Sequence, residues 1–179
     1  YGNRILNFSD KKVIKEIIKK RKSFTDKNYW SSFIAQKSFK NNKLKNINYN
    51  GVSINTKSIK KNNLFFAIKG KNTDGHKFVN EAIRKGANKC VVSRKIKNVS
   101  KNKIIKVKNT FSSLNDLARI NRYNTLAQII GITGSVGKTT LKNLVSFALK
   151  NYGKVYYSPY SYNNKFGVPF SLSNLKKNT

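Results

Sequence analysis

Gly131-Ile132-Thr133-Gly134-Ser135-Val136-Gly137-Lys138-Thr139-Thr140 is the stretch that decides the fold. It follows an apolar run, Leu126 to Ile132, and precedes a helical pattern, Leu141 to Lys150. That order predicts a strand, a Gly-rich turn and a helix. Such a turn points successive backbone N–H groups at a phosphate, and the helix start adds its partial positive charge. Gly134, Ser135, Val136, Gly137, Lys138, Thr139 and Thr140 are therefore the expected ATP-binding residues. Lys138 would reach the β- and γ-phosphates, and Thr139 would place its hydroxyl on Mg²⁺. Without glycines at 134 and 137 the backbone could not come that close. The first glycine of a common P-loop would stand at 132, where this chain has Ile; its glycines fall at 131, 134 and 137.

Mg²⁺–ATP chemistry also needs a carboxylate beside the P-loop hydroxyl. The six acids are Asp10, Glu16, Asp26, Asp74, Glu81 and Asp116, all before the P-loop. The metal site is thus expected to be incomplete in this chain, with Thr139 its one ligand here. ATP binding is expected without turnover.

The chain has 179 residues, room for one domain or two small ones. No apolar run approaches the roughly 20 residues that span a bilayer, and the start lacks the pattern of a signal peptide. Cys90 is the single cysteine, which excludes an internal disulfide and a Cys-based zinc site. These features point to a cytoplasmic protein. The formal charge is +32, from 38 basic and 6 acidic residues. Such a charge suggests a nucleic-acid partner. The lysines, however, are spread along the chain, and arginine, the preferred reader of bases and phosphates, is scarce. Salt-sensitive adhesion to polyanions is expected, without a specific nucleic-acid partner.

Three units follow from the patterning. In residues 1–26, Ser9 or Asp10 can cap a helix whose apolar face is Val13, Ile14, Ile17 and Ile18; residues 22–29 read as a linker. The second unit, 27–110, has a short helix near Phe33 and Ile34. Strands follow at 51–55, 64–68, 89–93 and 104–107. Between the middle two lies a helix with Phe78, Val79, Ala82 and Ile83 on one face, ended by Gly86. Strands alternating with helices indicate an α/β fold. In the third unit, 111–179, a helix carries Leu114, Leu117 and Ala118. Strand 126–132, the P-loop, helix 139–151 and a strand at 155–157 come next. The absence of methionine and the few strands around the P-loop suggest a fragment.

Three polar groups lie at predicted loops. Asn55-Thr56-Lys57 follows the first strand and offers an amide, a hydroxyl and an ammonium, or simply a turn. Asp74-Gly75-His76 ends a glycine-bearing loop between a strand and a helix; His76 is the only histidine, and a lone loop histidine is commonly a surface hydrogen-bonder. Asn163-Asn164 precedes Gly167-Val168-Pro169, and paired amides can hold a polar ligand from both sides.

Taken together these pieces resemble the Mur ligases, the ATP-dependent amide-forming enzymes of peptidoglycan precursor synthesis. Gly131 to Thr140 is similar to the family's P-loop, shifted glycine included. Asn55-Thr56-Lys57, Leu64 to Gly70, Asp74-Gly75-His76, Ala82 and Gly86-Ala87 resemble its first domain. Ser158-Pro159, Asn163-Asn164 and Gly167-Val168-Pro169 are most similar to the member that adds D-alanyl-D-alanine to UDP-MurNAc-tripeptide. Residues 7–13 resemble the end of the preceding ligase, which suggests a junction of two fused enzymes. The family usually has Asp-Ser-Arg at 55–57, so a carboxylate is lost and a planar fork becomes a point charge.

The resemblance implies a small N-terminal α/β domain that binds the UDP-substrate, followed by the truncated start of a P-loop ATP-binding domain. It implies that Asn55, Thr56, Lys57, Asp74, Gly75 and His76 hold the uridine end, and that Asn163 and Asn164 face the substrate side of the ATP cleft. ATP and Mg²⁺ are the implied cofactors; UDP-MurNAc-peptide and D-alanyl-D-alanine are the implied partners. A diaminopimelate-adding Mur ligase, a folylpolyglutamate-type ligase and a basic nucleic-acid-binding module are the alternatives.

Overall fold

The computed structural model describes residues 27–39, 47–159 and 164–176. The expected helix with Val13, Ile14, Ile17 and Ile18 lies outside the described residues, as does Asn163. Helix α1 spans Lys27–Phe39, so it begins inside the stretch that composition marked as a linker. Strands β1 (Gly51–Ser53) and β2 (Asn63–Phe66) follow. A 3₁₀ turn (Gly75–Phe78) leads directly into helix α2 (Val79–Arg84). Strands β3 (Lys89–Val92) and β4 (Ile104–Lys106) complete a four-stranded sheet. Helix α3 covers Thr110–Asn124, α4 covers Lys138–Leu149 and α5 covers Gly167–Ser173.

The sheet order is β1-β2-β3-β4 and every pair is parallel. A parallel sheet is stable when both faces are covered, and the strand sequences provide for this by alternation. Leu64, Phe66 and Val91 face one way and join Ile34, Ala35, Leu114 and Leu117 in one core. Phe65, Ala67, Cys90 and Val92 face the other way and join Val79 and Ala82 of α2. Thus α1 and α3 close one face, and α2 closes the other. Cys90 is wholly buried, and burial pushes its thiol up to about 12, so it behaves as a small core residue. The αL backbone at Gly86 (φ +95°) ends α2, the position where a glycine was expected.

Helix α5, late in sequence, returns to this first core. Asn174, which caps its C-terminal end, accepts from the Val52 backbone N–H at 2.8 Å and donates to the Val52 carbonyl at 3.2 Å. Because β1 is an edge strand, the side-chain amide pairs both groups as a fifth strand would. The amide leaves no space for a Cβ at residue 51: one on Gly51 would stand 2.8 Å from Asn174 Oδ1. Asn121 of α3, itself buried, donates to the carbonyls of Leu172 (2.8 Å) and Leu175 (2.9 Å).

Two expected strands are not formed. Residues 126–132 and 155–157 have no regular structure, and Leu126, Ile129 and Ile130 are 63%, 49% and 60% exposed. An apolar run becomes a strand only when a neighbour completes its ladder, and no described segment pairs with either. Helix α4 likewise exposes Leu141, Leu144 and Phe147.

Removing the amide in Asn174→Ala leaves two edge-strand backbone groups of Val52 unpaired. It should lower stability by about 1–3 kcal/mol in denaturant unfolding. Gly75→Ala places a Cβ 2.7 and 2.8 Å from the backbone N and O of Ile68. It should destabilise the same unit by more than about 1 kcal/mol, with no side-chain movement able to relieve it.

Candidate functional site

Parallel strands place all their carboxyl ends on one edge, and that is where ligands of open α/β sheets bind. Here the edge carries the loop 54–57 after β1, the loop 67–75 after β2, Ser93 and Arg94 after β3, and Lys108 and Asn109 after β4. The start of α3 is pinned there too. Thr110 Oγ1 donates to the Ala67 carbonyl at 3.0 Å, and Asn109 caps the helix by accepting from Ser112 N.

Within the first loop, Asn55 Oδ1 accepts from the Lys57 N–H at 2.9 Å, the Asx turn that the residue types allow. Thr56 is buried; its carbonyl accepts from Lys85 Nζ at 3.2 Å. The Glu81 carboxylate, hydrogen-bonded by Lys85 and by the Thr56 side chain, titrates below its usual range. Asn55 and Lys57 are both exposed, and Lys57 is the cation of the three.

Asp74 and His76 form a closed unit. Asp74 Oδ1 accepts from His76 N (3.0 Å) and from His76 Nδ1 (2.7 Å), and Oδ2 meets Arg94 Nη2 at 2.8 Å. His76 Nε2 accepts from the Ser93 backbone N–H at 3.0 Å, so Nδ1 carries the proton it gives Asp74. The imidazole is only 3% exposed. Partial burial alone would raise the Asp74 carboxyl, but hydrogen bonds from the His76 backbone and ring, with the charge of Arg94, hold it below its usual range. The only histidine is therefore a buried tie between the ends of β2 and β3, with both nitrogens engaged. Its partner Ser93, and Arg94, the partner of Asp74, carry no sequence signal of their own, and sequence reasoning missed them. Gly75 passes against the Ile68 backbone and donates to its carbonyl at 2.9 Å.

Asn164 uses its side chain to cap α5, accepting from Phe166 N (3.1 Å) and Gly167 N (2.9 Å). Phe166 stands edge-on to Phe111 with ring centroids 5.1 Å apart, which brings this turn beside the start of α3.

In the P-loop, Gly134 (φ +142°) and Gly137 (φ +77°) adopt conformations that side chains resist. A Cβ at 137 would meet nothing within 4 Å, so dihedral freedom, and not space, requires this glycine. Gly137 is the N-cap of α4, and its left-handed turn aims the first N–H groups outward. Lys138 folds back on the loop, donating to the carbonyls of Gly134 and of Ser135, the latter at 3.0 Å. Residues 133–137, Thr139 and Thr140 are exposed. Open amides, a helix start and an ammonium on the loop fit a phosphate chain. A metal ion finds only the Thr139 hydroxyl here; among the described residues no cluster of three His, Cys, Asp or Glu side chains could hold one. Also among the described residues, no helix is long and apolar enough to cross a membrane.

Two family profiles match consecutive parts of the chain: "Mur ligase family, catalytic domain" over residues 48–131, and "Mur ligase middle domain" over 132–179. The chain is 39% identical over 133 residues to the UDP-N-acetylmuramoyl-tripeptide--D-alanyl-D-alanine ligase of Rickettsia prowazekii (strain Madrid E), covering 74% of this chain and 29% of that protein. It is 41% identical over 136 residues to the protein of the same name from Buchnera aphidicola subsp. Baizongia pistaciae, covering 75% and 29%. Among solved structures, the MurF ligase of Thermotoga maritima in complex with ADP is similar with a TM-score of 0.55 at 36% identity, over 72% of this chain and 30% of that one. The chain thus spans less than a third of the length of these relatives. With both profiles matched in sequence order and the glycine turn and parallel sheet in place, the chain belongs to the Mur ligase family.

Proposed function

We propose that this chain is the substrate-binding domain and the beginning of the ATP-binding domain of a cytoplasmic ligase that joins D-alanyl-D-alanine to UDP-MurNAc-tripeptide. The observation that carries this is the turn at 134–140, with two left-handed glycines, an exposed helix start and Lys138 poised over it. The names of the relatives support the choice of substrates. We place the boundary between the two domains at residues 110–111, and residues 1–26 as the end of an upstream ligase.

A carboxylate is a poor electrophile, so one of its oxygens must first become a leaving group. In the proposed reaction the tripeptide's terminal carboxylate receives the γ-phosphoryl group of ATP, and ADP departs. The amine of D-alanyl-D-alanine then attacks the acyl carbon, the C–O bond to phosphate breaks, and the amine loses its proton. The backbone amides of 134–140 hold the phosphates, and Lys138 swings from the loop carbonyls to offset charge on the transferring group. Thr139 would supply one ligand to Mg²⁺, whose charge would offset that of the phosphates. Lys57, with the backbone of 55–57 and 74–76, holds the uridine end, while Thr56, Asp74, Gly75 and His76 shape that surface from beneath. Asn163 and Asn164 line the substrate side of the ATP cleft.

In the full-length enzyme, Lys138→Ala should lower ATP-dependent phosphate release by more than about 100-fold. Adhesion to polyanions should keep its steep salt dependence. Loss of neither property would sink the ligase assignment and favour a basic nucleic-acid-binding module. Supplying D-alanyl-D-alanine with UDP-MurNAc-tripeptide should release phosphate, whereas diaminopimelate with UDP-MurNAc-dipeptide should not; the reverse would identify the diaminopimelate-adding member.

A further inference from the structure

The polar residues that sequence singles out at the sheet edge are largely consumed inside the fold. Both Asp74 oxygens are taken, Oδ1 by His76 and Oδ2 by Arg94. Both nitrogens of His76 are taken as well. In the cluster of Asp74, His76 and Arg94, the side chain left facing solvent is Arg94, 58% exposed while Asp74 beneath it is 18% exposed.

A guanidinium has five N–H donors in a planar fork, and Asp74 engages it through Nη2. The remaining donors point from a fixed base. That base is unusually rigid for a surface arginine: Asp74 is held by the His76 amide and ring, and the ring by the Ser93 amide, the residue adjacent to Arg94. Lys57, Lys69, Lys71, Lys95 and Lys108 are exposed on the neighbouring loops and keep the edge positive. Glu81, the acid nearest the 55–57 loop, is already paired with Lys85 at 2.7 Å. An anchored, forked cation among flexible point charges is a device for bidentate capture of a phosphate.

We propose that Arg94 grips the diphosphate of the UDP-sugar, with Asp74 and His76 as its seat; this rests on the substrate assignment above. The sequence-predicted pair then acts through Arg94 as positioning residues, and Arg94 is the contact. It supplies, from the end of β3, the planar fork that Lys57 cannot offer from the end of β1.

The test uses the full-length enzyme with UDP and uridine as competitors of UDP-MurNAc-tripeptide. Arg94→Gln should weaken UDP by about tenfold or more and leave uridine unchanged, because only the diphosphate contacts are lost. KM for the UDP-sugar should rise to match, with KM for ATP and kcat unaltered. Arg94→Lys keeps the ion pair with Asp74 but not the fork, and should show an intermediate loss of UDP affinity; a purely structural arginine would leave it near wild type. Equal weakening of UDP and uridine by Arg94→Gln, or no weakening of either, overturns the proposal while the substrate assignment stands. Should the wild-type enzyme bind neither UDP nor the UDP-sugar, the substrate assignment fails, and this inference with it.

Discussion

Parallel pairing from β1 to β4 constrains everything else in this molecule. Four strands running the same way cannot be joined by tight hairpins, so each connection must cross a face, and α2 covers one face as a result. The same geometry gathers four strand ends on one edge. The register Ser53↔Phe65, Phe66↔Val91 and Val92↔Lys106 places these ends in line, so that loops far apart in sequence become neighbours. The His76–Ser93 bond spans 17 residues of sequence but only one inter-strand step.

A second constraint comes from amides. Asn174 closes the open edge of β1, and Asn121 satisfies carbonyls at the end of α5. Both are side chains imitating backbone, and each secures a piece of chain that lies beyond the P-loop to a core built before it. The turn at Asn164–Gly167 therefore sits beside the start of α3 through Phe166 and Phe111. In a chain this rich in asparagine, composition conceals which amides matter. Asn-Asn at 163–164 drew notice through its spacing to Gly167-Val168-Pro169, whereas Asn121 and Asn174 stand in no motif.

The four strands of the sheet, the glycine end of α2 and the P-loop helix were legible because each rests on local rules: alternation, a left-handed cap, a glycine turn before a periodic run. The strand expected at 126–132 was not legible in the same way. Leu126, Ile129 and Ile130 satisfy the pattern of a buried strand, yet they remain exposed here because a ladder needs a partner and periodicity names none. His76 shows the converse. Its loop position suggested a surface role, but the Asp74 carboxylate two residues away and the Ser93 amide across the sheet draw it to full burial. Spacing revealed the first partner's proximity and could not reveal the second.

Charge does not distinguish one part of this surface from another. With 38 cations against 6 anions, the whole chain attracts phosphate. Exposed lysines separated by more than the Debye length, about 8 Å at physiological salt, act nearly independently. Discrimination must come from donors whose directions are fixed before the ligand arrives, since flexible ammonium groups give up side-chain entropy on ordering. The described structure has two such arrangements. One is the amide concavity that Gly134 and Gly137 create by occupying positive φ, where no side-chain charge is needed at all. The other is the guanidinium clamped by Asp74 at the sheet edge. The first is built from backbone geometry, so salt that strips the lysines of their adhesion leaves it largely intact. A uniformly basic protein can thereby keep a selective site.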